Sequence, residues 1–143
     1  MDVTKLPFNQ HVGLSPSGAP HHMLELPEAP HLANHLGTVH ASAQFALAEA
    51  TSGQCLLVSF PDLEGKVLAV VRSFNGKFRA PANGPLRSTA SIADEARQKL
   101  DADLQQRGRG LVAVEVEVRD LSGALTLAAS FEWFVQLGPA APG

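Results

Sequence analysis

The most regular pattern lies in the last third of the chain. Val112, Val114, Val116 and Val118 alternate with Ala113, Glu115, Glu117 and Arg119, the period of a strand with one apolar face. After a turn at Asp120–Gly123, Leu125, Leu127, Ala129, Phe131, Trp133 and Val135 fall on one face of the next strand. Together they predict a long antiparallel hairpin that buries a single side. Between Thr38 and Gly53 the pattern is different. Val39, Ala41, Ala43, Phe45, Ala46, Leu47, Ala48 and Ala50 point in nearly every direction around a helix. A helix apolar all round is one that other elements cover. Thr38 can cap it and Gly53 can stop it, giving a length of roughly 20 Å.

The remaining segments are shorter. His21–Pro27 reads as an edge strand stopped by Pro27 and Pro30, and Cys55–Phe60 as a short strand followed by the turn Pro61–Gly65. Lys66–Gly84 reads as one long strand or two, and Pro85–Ile92 is expected to pair with it across the Pro/Asn/Gly turn. From Ser91 to Arg107 the pattern is helical. Ser91 and Asp94 have capping-box spacing, Ile92, Ala96, Leu100 and Leu104 form a narrow stripe, and Gly108 and Gly110 end the helix. Residues 1–20 carry Pro, Gly and Ser without periodicity and read as a poorly ordered arm, leaving a domain over 21–137 and a disordered tail over 138–143.

One covered helix and several long antiparallel strands with one apolar face predict an α+β chain. The simplest burial curls the sheet around the helix, which is the hotdog architecture, here with an extra helix between late strands. Exposed edge strands in such a sheet are expected to pair across a two-fold, giving a homodimer or homotetramer.

Composition narrows the function classes. The chain has 143 residues, 45% of them hydrophobic and 17% charged, which suits one globular domain. Its net charge of -3 and lack of a dense basic run give no case for nucleic acid. Cys55 is the only cysteine, so an intramolecular disulfide or redox pair is excluded. No signal peptide or membrane-spanning run is visible, and a cytoplasmic protein without membrane partners is the expectation. The five histidines from His21 to His40 match no zinc spacing, so no metal is expected. Ser42 lacks a nucleophile elbow, and Ser59 and Cys55 read as packing residues.

The stretch "NHLGTVHASAQFALAE" (34–49) resembles the Asn-x-x-Gly-x-x-His-Gly-Gly…Leu-Ala-Asp/Glu signature of hotdog-fold acyl-CoA thioesterases of the phenylacetic-acid-pathway type. "FNGKFRAPANGPLRSTASI" (74–92) resembles that family's second block, and "VEVEVRDLSGALTLAASFEW" (114–133) its closing hairpin. The resemblance runs from Met23 to Val135. It implies hydrolysis of an acyl-CoA thioester to free acid and CoA, with no cofactor beyond the CoA of the substrate. It implies that Glu49 acts as general base or nucleophile and that Asn34 orients water or the carbonyl. Backbone N–H groups at His40, Ala41 and Ser42 would polarise the thioester oxygen, and Lys77, Arg79 and Arg87 would meet the CoA phosphates. The sequence departs from the signature at Ala41-Ser42, where the family has Gly-Gly, and in the helix after Ser91. Val71 stands where many relatives carry a polar strand residue, with Ser73 expected on the same face as its substitute.

Glu49 also stands out on physical grounds, as the one carboxylate in an apolar run. At 100° per residue Thr38, Ser42 and Glu49 fall on one narrow stripe of the predicted helix. If the stripe lines a cavity, desolvation raises the Glu49 pKa toward the range useful to a base. The alternative is a carboxylate paired with an Arg at a subunit interface. Asn34 can equally be a turn residue and His40 a structural hydrogen-bonding group. Two rival functions share the fold: a non-catalytic acyl-CoA-binding module, and a hydroxyacyl-thioester dehydratase, whose Phe-Pro-rich histidine loop "APHLANHLG" lacks.

Overall fold

The computed structural model describes residues 1–138. Six strands form one antiparallel sheet: β1 (Ser15–Pro16), β2 (Leu24–Leu26), β3 (Val67–Phe78), β4 (Leu86–Ser91), β5 (Arg109–Asp120) and β6 (Leu125–Leu137). Their spatial order is β1-β2-β4-β5-β6-β3. Three helices, α1 (Pro7–Val12), α2 (Ala41–Ser59) and α3 (Asp94–Arg107), join them. One face of the sheet packs on α2, which is the expected hotdog arrangement with its extra helix, α3, between β4 and β5.

The β5–β6 hairpin forms as its alternation predicts. Val112, Val114, Val116 and Val118 are buried opposite Trp133, Phe131, Ala129 and Leu127 in turn, and Val135 is buried opposite Gly110. Asp120 closes the turn by accepting from the Ser122 and Ala124 amides at 2.9 and 3.0 Å. At the other edge of the ladder, β3 pairs with β6 along its whole length.

Several boundaries differ from the expectation. The central helix starts at Ala41 rather than after Thr38 and continues past Gly53 to Ser59. Gly53 is not a stop: a Cβ there would sit 3.3 Å from the Trp133 ring, so glycine serves the close approach of helix to sheet. Cys55–Phe60, read as a strand, is therefore the last turn and a half of α2 and its cap. A short apolar run has no period that separates a strand from a buried helix end. The Ser91–Asp94 box does not form, because Ser91 is the last residue of β4 and Ala93 caps α3 without a side-chain bond.

β4 does not pair with β3. It lies between β2 and β5, and residues 79–85 carry the chain across the sheet instead of doubling back. Ala82 is buried in that crossing and its carbonyl accepts from the Val39 amide at 2.9 Å, tying it to the loop before α2.

Residues 1–20 are not a loose arm. Val3, Val12 and Leu14 are buried, Asn9 Nδ2 donates to the Val3 carbonyl at 2.9 Å, and the Val3 amide donates to Gln54 Oε1 of α2 at 3.4 Å. With Pro7 at its first turn and Gly13 at φ 92° behind it, α1 is punctuated like a helix but too short to show a period. Residues 139–143, most of the expected tail, lie outside the described residues. Among the described residues no helix is long and apolar enough to cross a membrane.

A buried polar chain fastens α2 to the sheet. Thr51 Oγ1 lies 2.6 Å from the Leu47 carbonyl and 2.5 Å from Ser88 Oγ, which lies 3.2 Å from the Leu24 carbonyl. Two hydroxyl protons thus serve three contacts among groups fully buried at the centre of the fold. Thr51→Val is expected to cost about 1–2 kcal/mol, and Thr51→Val with Ser88→Ala less than the sum of the single changes. Urea unfolding of the four proteins measures that coupling.

Candidate active site

The N-terminus of α2 is built by a histidine. His40 caps it, its Nδ1 accepting from the Ser42 amide at 2.9 Å, while its carbonyl accepts from Ala43 and Gln44. A ring nitrogen that accepts must be unprotonated, so the neutral ring carries its proton on Nε2. The cap also removes one amide from the expected oxyanion donors. Ser42 N–H faces the His40 ring, and Ala41 N–H has no acceptor among the described residues. His40→Ala is expected to cost about 1 kcal/mol of stability through loss of the cap, and His40→Asn only part of that, as read by thermal melts.

Asn34 closes the loop that leads into this cap. Its Oδ1 accepts from the Leu36 and Thr38 amides at 2.9 and 3.1 Å, and its Nδ2 donates to Thr38 Oγ1 at 2.8 Å. Its polar atoms are engaged within the loop, as in the turn-residue alternative, and Asn34 is absent from the lining of the cleft described next. Thr38 lies before α2 begins, so the expected stripe of Thr38, Ser42 and Glu49 is shortened to Ser42 and Glu49.

That stripe forms one wall of a cleft of about 450 Å³ lined by Phe8, Ala41, Ser42, Phe45, Ala46, Glu49 and Phe78. Apart from Glu49, Ser42 and backbone, the lining is apolar. Burial alone pushes the Glu49 carboxyl above the usual carboxylate range. Its side chain has no ion pair among the described residues of this one chain.

The turn that carries Glu49 is held from behind. Trp133 Nε1 donates to Ser52 Oγ at 3.0 Å, and Ser52 Oγ donates to the Glu49 carbonyl at 2.7 Å. On the far side Phe45 meets Phe74 edge-on with ring centroids 4.9 Å apart, and both rings touch the buried Phe131 at 5.6 and 5.1 Å. A Cβ at residue 76 would come within 2.7 Å of the Phe74 ring, so Gly76 makes room for this cluster. None of Trp133, Ser52, Phe74 or Phe131 was singled out as a site residue. Only their places on the apolar faces of α2, β3 and β6 could have found them.

An ionised Glu49 held in that apolar cleft costs stability. Its pKa is raised in the folded chain, so stability is highest where both states are protonated and falls as pH rises past the unfolded carboxylate value. Glu49→Gln is therefore expected to leave the Tm unchanged in acid and to raise it by roughly 2–5 °C at neutral pH. Melts across pH check the sign.

The expected CoA-binding residues do not line the cleft. Arg87 pairs with Glu25 at 2.9 Å. A bulge between Val71 and Ser73 places these two on opposite faces of β3, and Ser73, contrary to the expectation, lies beside Glu132 on the outer face at 3.3 Å. Lys77 and Arg79 flank Phe78, which does line the cleft.

A family model matches residues 12–135, almost all of the ordered sheet and helices. The chain belongs to the DUF4442 family, a domain of unknown function. This chain shares its fold with solved structures that include a probable thioesterase. A Pseudomonas aeruginosa protein of unknown function, described as a probable thioesterase, is 26% identical with a TM-score of 0.79, over 95% of this chain and 91% of its own. A Bacillus halodurans protein solved with CoA is 25% identical with a TM-score of 0.62, over 78% of this chain and 69% of its own. A Chlorobaculum tepidum protein of unknown function reaches a TM-score of 0.79 at 16% identity, over 94% of this chain and 88% of its own, which shows the fold alone. No curated protein matches the sequence. The DUF4442 chain described here thus sits among hotdog proteins of the thioesterase superfamily.

Proposed function

We propose that this protein hydrolyses an acyl-CoA thioester, with Glu49 as the general base that activates water. The observation that carries the reading is a carboxylate with no ion pair among the described residues, raised by burial, in an apolar cleft that opens at the N-terminus of α2. Such a helix end offers N–H groups and a positive dipole end to a developing oxyanion. Ala41 N–H, which has no acceptor among the described residues, is the amide left for that role.

The spacing accommodates a general base acting through water. From Ala41 to Glu49 the helix rises about 12 Å, and a glutamate leans back toward the N-terminus, leaving about 8–9 Å between carboxylate and free amide. Carboxylate to water, water to carbonyl carbon and carbonyl oxygen to N–H are links of about 3 Å each, which fill that gap. The CoA seen in the Bacillus halodurans neighbour supports CoA as the carrier. In this reading Lys77 and Arg79, the chain neighbours of Phe78, meet its phosphates. The unpaired outer edge of β3, with Leu68 and Val70 exposed, supports the expected two-fold assembly.

The test is thiol release from short, medium and aromatic acyl-CoAs, with enoyl-CoA hydration as the control. Thiol release supports the reading. Hydration without it assigns a dehydratase, and CoA binding without turnover assigns a binding module.

A further inference from the structure

The cleft beside Glu49 has a neighbour. A second hollow of about 260 Å³ is lined by Phe8, Val12, His31, Leu32, Ala33, His40, Ser42 and Ala43. The two linings share only Phe8 and Ser42. Ser42 is on α2, whereas Phe8 comes from α1, in the N-terminal segment that sequence reading set aside.

We propose that Phe8 is the partition that limits the length of acyl chain the cleft accepts. This rests on the acyl-thioester reading of the site and names the substrate class: acyl groups short enough to end at the Phe8 ring. Phe8 is 65% exposed, so the ring is not there to fill the core. Its backbone is nevertheless fixed, because its neighbours Asn9 and Val12 are buried and Pro7 starts the helix. An aromatic ring carried on a fixed backbone between two hollows acts as a wall. Beyond it, Val12, Leu32, Ala33 and Ala43 offer apolar surface that a longer chain would cover. Removing the ring joins the second hollow to the first, and each further methylene that enters is worth about fourfold in binding.

Two readouts separate this proposal from the reaction assigned above. In the first, kcat/KM is measured for butyryl-, octanoyl- and palmitoyl-CoA with wild type, Phe8→Ala and Phe8→Trp. The palmitoyl-to-butyryl ratio is expected to rise at least about tenfold in Phe8→Ala and to fall in Phe8→Trp. In the second, the Kd of the non-hydrolysable butyl, octyl and hexadecyl thioethers of CoA is measured with the same proteins. Phe8→Ala is expected to tighten the hexadecyl thioether selectively. Hydrolysis with an unchanged chain-length ratio in both variants overturns the role of Phe8 and leaves the reaction standing. A shifted binding profile without hydrolysis keeps the role of Phe8 and overturns the reaction. Absence of both binding and hydrolysis overturns both. The exposure of Phe8 predicts that both variants melt within a few degrees of wild type, and Phe8→Trp carries the test if Phe8→Ala does not fold.

Discussion

Glu49→Gln lowers kcat roughly 10²- to 10⁴-fold on any acyl-CoA that the protein hydrolyses, with little change in KM. The amide keeps the size and most of the hydrogen-bonding capacity of the side chain but cannot take a proton from water. Because the substitution also relieves a half-buried charge, the inactive variant is the more stable protein at neutral pH. Loss of activity through misfolding would move the two measurements in the same direction. Here they move in opposite directions, as they do when a site is held at a cost to the fold. A stopped assay of thiol release and a thermal melt on the same preparations suffice.

Phe131→Ala has the largest expected effect on stability, about 3–5 kcal/mol or roughly 10–17 °C in Tm. Phe131 is fully buried at the middle of β6 and touches both Phe45 and Phe74. The change opens a cavity and removes the support of the ring that walls the cleft. Activity measured well below the new Tm is expected to fall as well, since Phe45 is on the turn of α2 that precedes Glu49. Phe131→Leu, which keeps most of the volume, is expected to recover more than half of the lost stability.

The hairpin that holds Phe131 was legible in the sequence because alternation over a dozen residues has no other explanation. The central helix was legible in kind but not in extent. Gly53 has the form of a helix stop, and only the Trp133 ring across from it shows why a glycine is needed inside. Cys55–Phe60 is apolar on every side because the end of α2 is covered on every side, so its period carried no signal. The place of β4 was hidden for another reason. Strand neighbours follow from matching long apolar faces across the whole sheet, and a short polar turn between two strands says little about whether they pair.

The site divides the same way. Glu49 could be found because a charge in an apolar run is conspicuous, and its place in the cleft comes from the helix period alone. Asn34 and Thr38 were harder. Their spacing suited a site, whereas the hydrogen bonds they make are those of a closed loop. Phe8 could not be reached at all, since six helical residues between a proline and a glycine show no apolar stripe.

The central claim is that one proton on Glu49 governs the reaction. It is tested most directly by titrating the Glu49 carboxyl carbon by NMR and comparing the midpoint with the acid limb of kcat/KM. The account predicts one shared midpoint, above the ordinary carboxylate range, with the rate falling as pH drops through it. A Glu49 that titrates like an exposed glutamate, or an acid limb that persists unchanged in Glu49→Gln, would contradict it.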